Sequence, residues 1–349
     1  MKGAAINYHS LLQQYQLEVD FIEDYGKVKK VYTKNGVYAL KQVEHEEIRN
    51  YGFIQTLQVL QQKGWMGFVP IYQTKHRQPI VTDQKNAYYL MPWLPNNPTD
   101  ERDIRYHKLF QELAKLHGAS VREVDVKEED IEQHYSTIKK TWEDRQEELE
   151  QYVIECEKKV YMSPFELHFC TFYYEMTRAL EFGFGKLDDW NTEMEEKEKI
   201  RLVTVHGKLS AKHFVYDERG NGFFINFEQA KDASPIYDLV SFYFRTLRTY
   251  PVTSFDSYEW FATYEKHFAL KEEERLLLHS YLAFPEPLYQ CVVQYRQNHS
   301  SRTELEHMQS LIRAYWLTKN IEQLNIKIFE VDQQRKIAAE AAAQAQANE

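Results

Sequence analysis

A chain of 349 residues is long for a single core, and at about 150 residues per domain two packed units are expected. With 43% hydrophobic and 15% aromatic residues, it carries too much apolar surface for a disordered chain. A formal net charge of −10 argues against general nucleic-acid binding, in which Lys and Arg must neutralise phosphate. The three cysteines, Cys156, Cys170 and Cys291, are far apart and include no CxxC pair. Neither a zinc knuckle nor a disulfide frame is indicated, and a reducing intracellular compartment fits best. Met1 to Asp20 lacks the apolar centre of a secretory signal, and no run approaches the roughly 20 apolar residues of a membrane span. A soluble chain without membrane insertion is expected.

Val28 to Thr33 and Val37 to Val43 are β-favouring runs on either side of Lys34-Asn35-Gly36. An Asn-Gly pair in that place predicts a hairpin, because both residues accept positive φ. Alternation puts Val37, Ala39, Lys41 and Val43 on one face, with Lys41 at a strand end. A helix is expected over His45 to Gln62, closed by Gly64. Val69 to Gln73, Pro79 to Thr82 and Ala87 to Met91 read as short strands. Pro92, Pro95 and Pro98 then interrupt regular structure. The domain reading is a β-rich unit over 1–94, a helical unit over 95–332, and an exposed Ala/Gln-rich tail, helical or frayed, over 333–349.

The helical unit is expected to open with Asp100 to His117, capped by Gly118. A charged helix, Val126 to Val160, and an aromatic-rich one, Ser163 to Phe184, precede an exposed connection from Asp188 to Lys199. Arg201 to Val205 reads as a strand, and Phe214 to Tyr216 with Phe223 to Phe227 as a second hairpin. Helices resume at Tyr237. The last one is expected to open at Ser301, with Glu304 at capping-box spacing, and to bury Met308, Leu311, Ile312, Tyr315 and Trp316.

Two motifs fail on inspection. Gly207-Lys208-Leu209-Ser210 is not a Walker A loop, since Leu209 follows the lysine and Leu202 stands where the first glycine belongs. His45-Glu46-Glu47-Ile48-Arg49 is not a zincin helix, since Arg49 replaces the second histidine.

The informative segment runs from His206-Gly207-Lys208 through Ala211-Lys212-His213-Phe214, a hairpin and Ile225-Asn226-Phe227-Glu228, to Tyr237-Asp238-Leu239-Val240. It resembles the catalytic core of the aminoglycoside phosphotransferase/choline kinase superfamily, which reads His-Gly-Asp, four residues, Asn, a hairpin, Ile-Asp-Trp/Phe-Glu, then Tyr-Asp-Leu-Ala. Tyr38-Ala39-Leu40-Lys41 looks like the strand that carries the nucleotide lysine. Tyr88-Tyr89-Leu90-Met91-Pro92-Trp93 looks like the hinge, and Leu116-His117 ends the first large helix as is common there. The resemblance spans about residues 20 to 320. It implies an α+β, protein kinase-like two-lobe fold with a small antiparallel-sheet N-lobe and a larger, mainly helical C-lobe.

It also assigns roles. His206 and Asp238 would brace the catalytic loop. Lys41, Glu47 (or Glu46) and Met91 would mark a vestigial nucleotide site. The three chemical positions depart from the pattern: the aspartate serving the acceptor hydroxyl is Lys208, the second-magnesium asparagine is His213, and the aspartate of the bridging magnesium is Asn226. Phosphoryl transfer rests on metal ions and positioning. Mg²⁺ prefers hard oxygen ligands, which a lysine and a histidine do not supply. Loss of a general base alone costs about 10²–10⁴ in rate. Tyr25-Gly26-Lys27 offers one glycine where a phosphate-covering loop favours several. No catalytic or metal site is therefore expected to be intact, and no cofactor is expected beyond weak ATP binding.

Tyr-Leu-Met-Pro-Trp, Leu-His-Gly-Ala-Ser and the tyrosine-rich second half look most like spore coat-associated proteins of the YutH type, related to the CotS type. That resemblance implies a bacterial pseudokinase acting as a structural or scaffold component in sporulation. It would be made in the mother-cell cytoplasm, deposited on the spore coat, and partnered by other coat proteins. Two alternatives stay open: an active or residual ATP-dependent phosphotransferase acting on a small molecule or coat protein, and an adaptor that binds nucleotide without transferring phosphate.

Overall fold

The structure, a computed structural model, describes residues 8–47, 52–96, 100–248, 256–297 and 302–347, without the side chains of 47 and 345–347. The chain divides into two compact units, Met1–Ser120 with Thr204–Asp232, and Val121–Val203 with Ala233–Glu349.

The first unit opens with helix α1 (Tyr8–Gln13) and strands β1 (Val19–Tyr25), β2 (Val28–Thr33) and β3 (Gly36–Glu44). Helix α2 (Phe53–Gln62), strands β4 (Val81–Thr82) and β5 (Asn86–Pro92) and helix α3 (Arg102–Ser120) follow. The antiparallel sheet has the order β1-β2-β3-β5-β4. One face, carrying Val31, Leu40, Tyr88 and Leu90, packs on Leu11, Leu12 and Tyr15 of α1 and its C-terminal turn. Each such burial is worth about 1.5–3 kcal/mol, so α1 fixes which face remains for other work. β3 is the central strand and continues to Glu44, so Lys41 lies within it and not at a strand end.

Local chemistry explains where this unit departs from expectation. The first hairpin forms, but its central residues are Lys34 and Asn35, and Thr33 pairs with Gly36 at φ +143°. The helix foreseen from His45 is shorter: a 3₁₀ turn covers His45–Glu47, and α2 begins after Gly52, whose carbonyl accepts from Thr56 N at 2.9 Å. Glycine inside a helix costs about 1 kcal/mol, so it suits the boundary better. Gly64, at φ +86°, does end that helix. Val69 to Gln73 makes one isolated bridge, Tyr72 to Leu90, with another just before it at Phe68 to Phe224, and Pro70 between them has no N–H for a ladder. Helix α3 continues past Gly118 to Ser120, whose buried hydroxyl donates to Leu116 O at 2.8 Å.

In the second unit, β6 (Arg122–Asp125) pairs antiparallel with β7 (Lys199–Val205) through residues 199–202. Between them run helices α4 (Glu128–Glu157) and α5 (Pro164–Met194). Ser163 and Glu166 form a reciprocal capping box with Pro164 at the first helical position, which sets the start of α5. The exposed connection expected from Asp188 is instead the end of α5. Leu187, Trp190 and Met194 are buried at helical spacing, an apolar stripe hidden among the acidic residues.

The first unit is completed by the hairpin β8 (Phe214–Tyr216) and β9 (Gly222–Phe224), with Phe214 opposite Phe224. The remaining helices of the second unit are α6 (Ile236–Thr246), α7 (Ser257–His267), α8 (Glu272–Ala283), α9 (Glu286–Gln297) and α10 (Glu304–Ala347). Leu149, Val153 and Cys156 of α4, Phe165 and Phe169 of α5, Leu288 and Val292 of α9, and Leu311 of α10 share one core.

The capping box of α10 is Thr303 with Glu306, not Ser301 with Glu304: Glu306 N donates to Thr303 Oγ1 at 3.3 Å, and Thr303 N to Glu306 Oε2 at 2.8 Å. Ser301 lies outside the described residues. Glu304 accepts instead from Phe165 N at 2.8 Å, placing a carboxylate at the start of α5 where the helix dipole favours it. Leu311, Leu317, Ile321, Leu324 and Ile328 form the buried stripe of α10, and residues 333–344 continue as exposed helix. Among the described residues no helix is long and apolar enough to cross a membrane.

Candidate functional site

Directly opposed residues of an antiparallel sheet point to the same face. The register therefore places Tyr25, Val28, Lys41 and Tyr89 in one row, and Glu23, Lys30, Ala39 and Met91 in the next. This is the face away from α1. Met91 is buried one row from Lys41, and Lys30 Nζ lies 4.8 Å from the Trp93 ring centre. The turn at Gly26 closes on itself. Asp24 Oδ1 accepts from Gly26 N at 2.8 Å and from the buried Lys29 Nζ at 2.5 Å.

Lys41 Nζ donates to Glu228 Oε1 at 2.5 Å and to Asn226 Oδ1. The Tyr89 hydroxyl donates to the same Glu228 oxygen at 2.6 Å. Side-chain exposure is 12% for Lys41 and 7% for Glu228, so water screens the pair little. Burial alone would raise the Glu228 carboxyl, but the Lys41 charge and the two hydrogen bonds hold it below its ordinary value. Burial, and then the Glu228 charge, push the Tyr89 phenol well above its ordinary range.

The His-Gly loop is built by backbone constraints. Gly207 has φ +78°, and a Cβ there would lie 2.2 Å from Gln229 O. Only glycine fits that conformation and that space. His206 is fully buried; its Nε2–H donates to Ile225 O at 2.8 Å, and its Nδ1 accepts from Lys208 N at 3.3 Å. The ring thereby ties the start of the loop to the strand that leads to Asn226. The Nδ1–H of His213 donates to Lys208 O at 2.8 Å, and the two histidine rings stack with centres 5.6 Å apart. Burial first, then His206, push the His213 imidazole down to about 4; the charges of Lys41 and Lys208 act in the same direction. The Lys208 side chain is exposed.

Asn226 adopts the left-handed conformation, φ +72° and ψ +52°, just before the 3₁₀ turn Phe227–Gln229. Asn tolerates that region better than most residues. The turn carries Glu228 back toward β3, so three residues of sequence deliver both Lys41 partners.

Lys41, Asn226, Lys208, His213 and His206 thus lie together in the first unit, with Met91 on the same sheet face as Lys41. Asp238 lies in the second unit, fully buried in the first turn of α6. The Glu47 side chain lies outside the described residues, and Glu46 is exposed. Lys41 pairs with Glu228, a residue given no role from the sequence. Its place in the Ile-Asn-Phe-Glu segment could have pointed to it, since the turn returns that carboxylate to the lysine strand. Tyr89 gave no signal beyond membership of a hinge-like strand. Among the described residues no three His, Cys, Asp or Glu side chains gather as a metal site.

A lysine on the central strand of a five-stranded antiparallel sheet, a His-Gly loop tied to a hairpin and a mainly helical remainder define the protein kinase-like two-lobe fold of aminoglycoside phosphotransferase type. Solved structures agree. An aminoglycoside phosphotransferase from Alicyclobacillus acidocaldarius matches with a TM-score of 0.73 at 16% identity, over 94% of this chain and 98% of that one. The spectinomycin phosphotransferase APH(9)-Ia, in its AMP-bound complex, matches with a TM-score of 0.58 at 12% identity, over 91% of this chain and 96% of that one. A microcompartment-associated aminopropanol kinase gives 0.56 at 12% identity, over 91% and 97%. At these identities the likeness is one of fold. No curated protein matches the chain in sequence. The chain belongs to the family described as "Spore coat putative kinase YutH", whose model matches residues 8–326.

Proposed function

We propose that this chain is a catalytically degenerate, kinase-shaped component of the spore coat, serving as a structural or scaffold body rather than a phosphotransferase. The carrying observation is the grip of Asn226 and Glu228 on Lys41. The oxygen at 226 that a bridging magnesium would need faces an ammonium. His213 presents nitrogen, which suits magnesium poorly. Lys208 adds a positive charge where the related kinases place an acid. This donor set does not fit a magnesium ion. Family membership supports association with the coat and other coat proteins after synthesis in the mother-cell cytoplasm.

The test uses the purified full-length chain with ATP, with and without Mg²⁺. A bound ligand raises stability by RT ln(1 + [L]/Kd). The reading expects no magnesium-dependent rise in melting temperature and no transfer of labelled phosphate to added coat proteins or amino alcohols. The combined substitution Lys208→Asp, His213→Asn and Asn226→Asp should create a magnesium-dependent rise. Phosphate transfer by the wild-type chain, lost in Lys41→Ala, would establish the phosphotransferase reading in its place.

A further inference from the structure

The second unit contains a cavity of about 940 Å³ among α4, α6, α8, α9 and α10. Small-molecule sites span about 300–1,000 Å³. Four of its walls are the aromatic side chains Trp142, Phe244, Tyr281 and Phe284. Trp142 and Phe284 stack at 4.5 Å and 18°, and Tyr281 meets Trp142 edge-on at 5.9 Å. Trp142 and Phe284 are buried against each other and fix the wall from behind, while the half-buried Phe244 and Tyr281 carry the aromatic surface left to the cavity.

The polar side of the cavity is unbalanced. Arg248, beyond the end of α6, and Arg313 of α10 both line it and are exposed. Among the described residues neither forms an ion pair, and the Nε–H of Arg248 donates to Phe244 O at 3.3 Å. The one acid in the lining, Glu286, is already engaged: Arg145 donates to its Oε2 and Gln290 Nε2 to its Oε1 at 2.7 Å. Arg145 is itself held over the rings of Phe284 and Tyr289, 5.7 and 4.8 Å from their centres. The cavity's own carboxylate is therefore committed, while two guanidinium groups bring charge with no ion-pair partner among the described residues.

We propose that this cavity binds a small aromatic carboxylate, its ring against Phe244 and Tyr281 and its carboxylate on Arg248 and Arg313. A guanidinium meets a carboxylate through two parallel N–H donors, a geometry neither a neutral amide nor a cation can use. The proposal does not depend on whether the chain transfers phosphate.

The experiment titrates the full-length chain with 1-naphthoate, 1-naphthamide and 1-naphthylmethylamine by calorimetry. The acid should bind saturably and about tenfold or more tighter than the amide, as loss of a charge-assisted pair implies. The amine should bind weakest. Arg248→Gln and Arg313→Gln should each weaken the acid by about five- to tenfold and leave the amide unchanged. Both side chains are exposed, so an unchanged melting temperature will show that the variants fold. If one does not fold, the contrast between acid and amide on the wild-type chain decides alone. Equal affinity for acid and amide, indifference of the acid to both substitutions, or no saturable binding up to about 5 mM would overturn the proposal.

Discussion

Asn226 turns its amide oxygen onto the Lys41 ammonium. A lysine in a low-dielectric site needs acceptors for its donors and a countercharge for its cation. Asn226 supplies only an acceptor, and Glu228, two residues further along the same turn, supplies a countercharge. The short Asn-Phe-Glu segment therefore neutralises the lysine within the protein itself.

The first prediction concerns that pair. Glu228→Gln takes the Glu228 countercharge away from the buried Lys41 cation. Breaking a buried pair from one side costs about 3–5 kcal/mol, whereas replacing both members by apolar residues is close to neutral. Glu228→Gln should lower the urea midpoint at constant slope, and the double substitution Lys41→Met with Glu228→Leu should recover most of the loss. Tyr89→Phe removes one hydrogen bond to the carboxylate and should cost about 1.5–3 kcal/mol. Additivity of Glu228→Gln and Tyr89→Phe in a double-mutant cycle would contradict the shared oxygen.

The second concerns pH. His213 is held at about 4 in the folded chain, below its ordinary 6.5. Between those values the unfolded chain binds a proton there and the folded chain does not. Stability should therefore fall as pH drops from about 6.5 toward 4, and level off for this group below the folded value. Urea midpoints measured across that range should decline less steeply in His213→Asn. The His213 ring resonances in NMR should titrate near pH 4, and a midpoint above 6 would contradict its desolvation behind His206.

How much of this was legible in the sequence depends on the range of the interaction. The strand bearing Lys41, the closure of α2 at Gly64 and the second hairpin are local features, and turn chemistry writes them into short segments. The start of α2 shifted because glycine suits a helix boundary, so Gly52 prevailed over His45, and α10 takes its box from Thr303 and Glu306. The end of α5 was hidden because Leu187, Trp190 and Met194 are sparse among acids. Lys208, His213 and Asn226 stand out only through the resemblance of their segment to the aminoglycoside phosphotransferase pattern. The Lys41–Glu228 pair joins residues far apart in the chain, and only the fold of the first unit specifies it.

The third prediction rests on Gly207. Alanine there would carry its Cβ to 2.2 Å from the Gln229 carbonyl and hold φ near +78° against its preference. The Gln229 contact is backbone, so it cannot swing aside as a side chain would. Strain at such a position exceeds the roughly 0.4–1 kcal/mol that Gly→Ala gains from the unfolded state. Gly207→Ala should be clearly destabilising in chemical denaturation, and it should disturb the His206 to Ile225 contact, visible as a shifted His206 imidazole resonance. Gly220→Ala is the control: its φ is similar at +77°, but the nearest atom to an added Cβ is the tip of Lys108 at 4.0 Å, so the cost should be smaller.

The fourth prediction locates where α10 stops contributing to the second unit. Arg275 of α8 donates to both oxygens of Glu265 at 2.6 and 2.7 Å and to Asp332 Oδ1 at 2.7 Å. All three side chains are at most 14% exposed. Burial would raise the Asp332 carboxyl, but His279 and Arg275 hold it below its ordinary value, so its contribution is present above about 3.8 and lost as pH falls through the lower folded value. Beyond this point the helix is exposed. Deleting 337–349 should leave the melting temperature unchanged. Deleting 332–349 also removes Asp332 and Arg335, which reaches Glu265 Oε2 at 2.7 Å. Loss of a charge-assisted hydrogen bond in a buried site is worth about 1.5–3 kcal/mol. At about 2–4 °C per kcal/mol for domains of this size, the melting temperature should fall by roughly 3–12 °C. Asp332→Asn in the full-length chain should reproduce much of that fall, because it keeps the helix and removes only the charge. Equal melting temperatures for the two deletions would show that α10 is anchored by its apolar stripe alone, from Leu311 to Ile328.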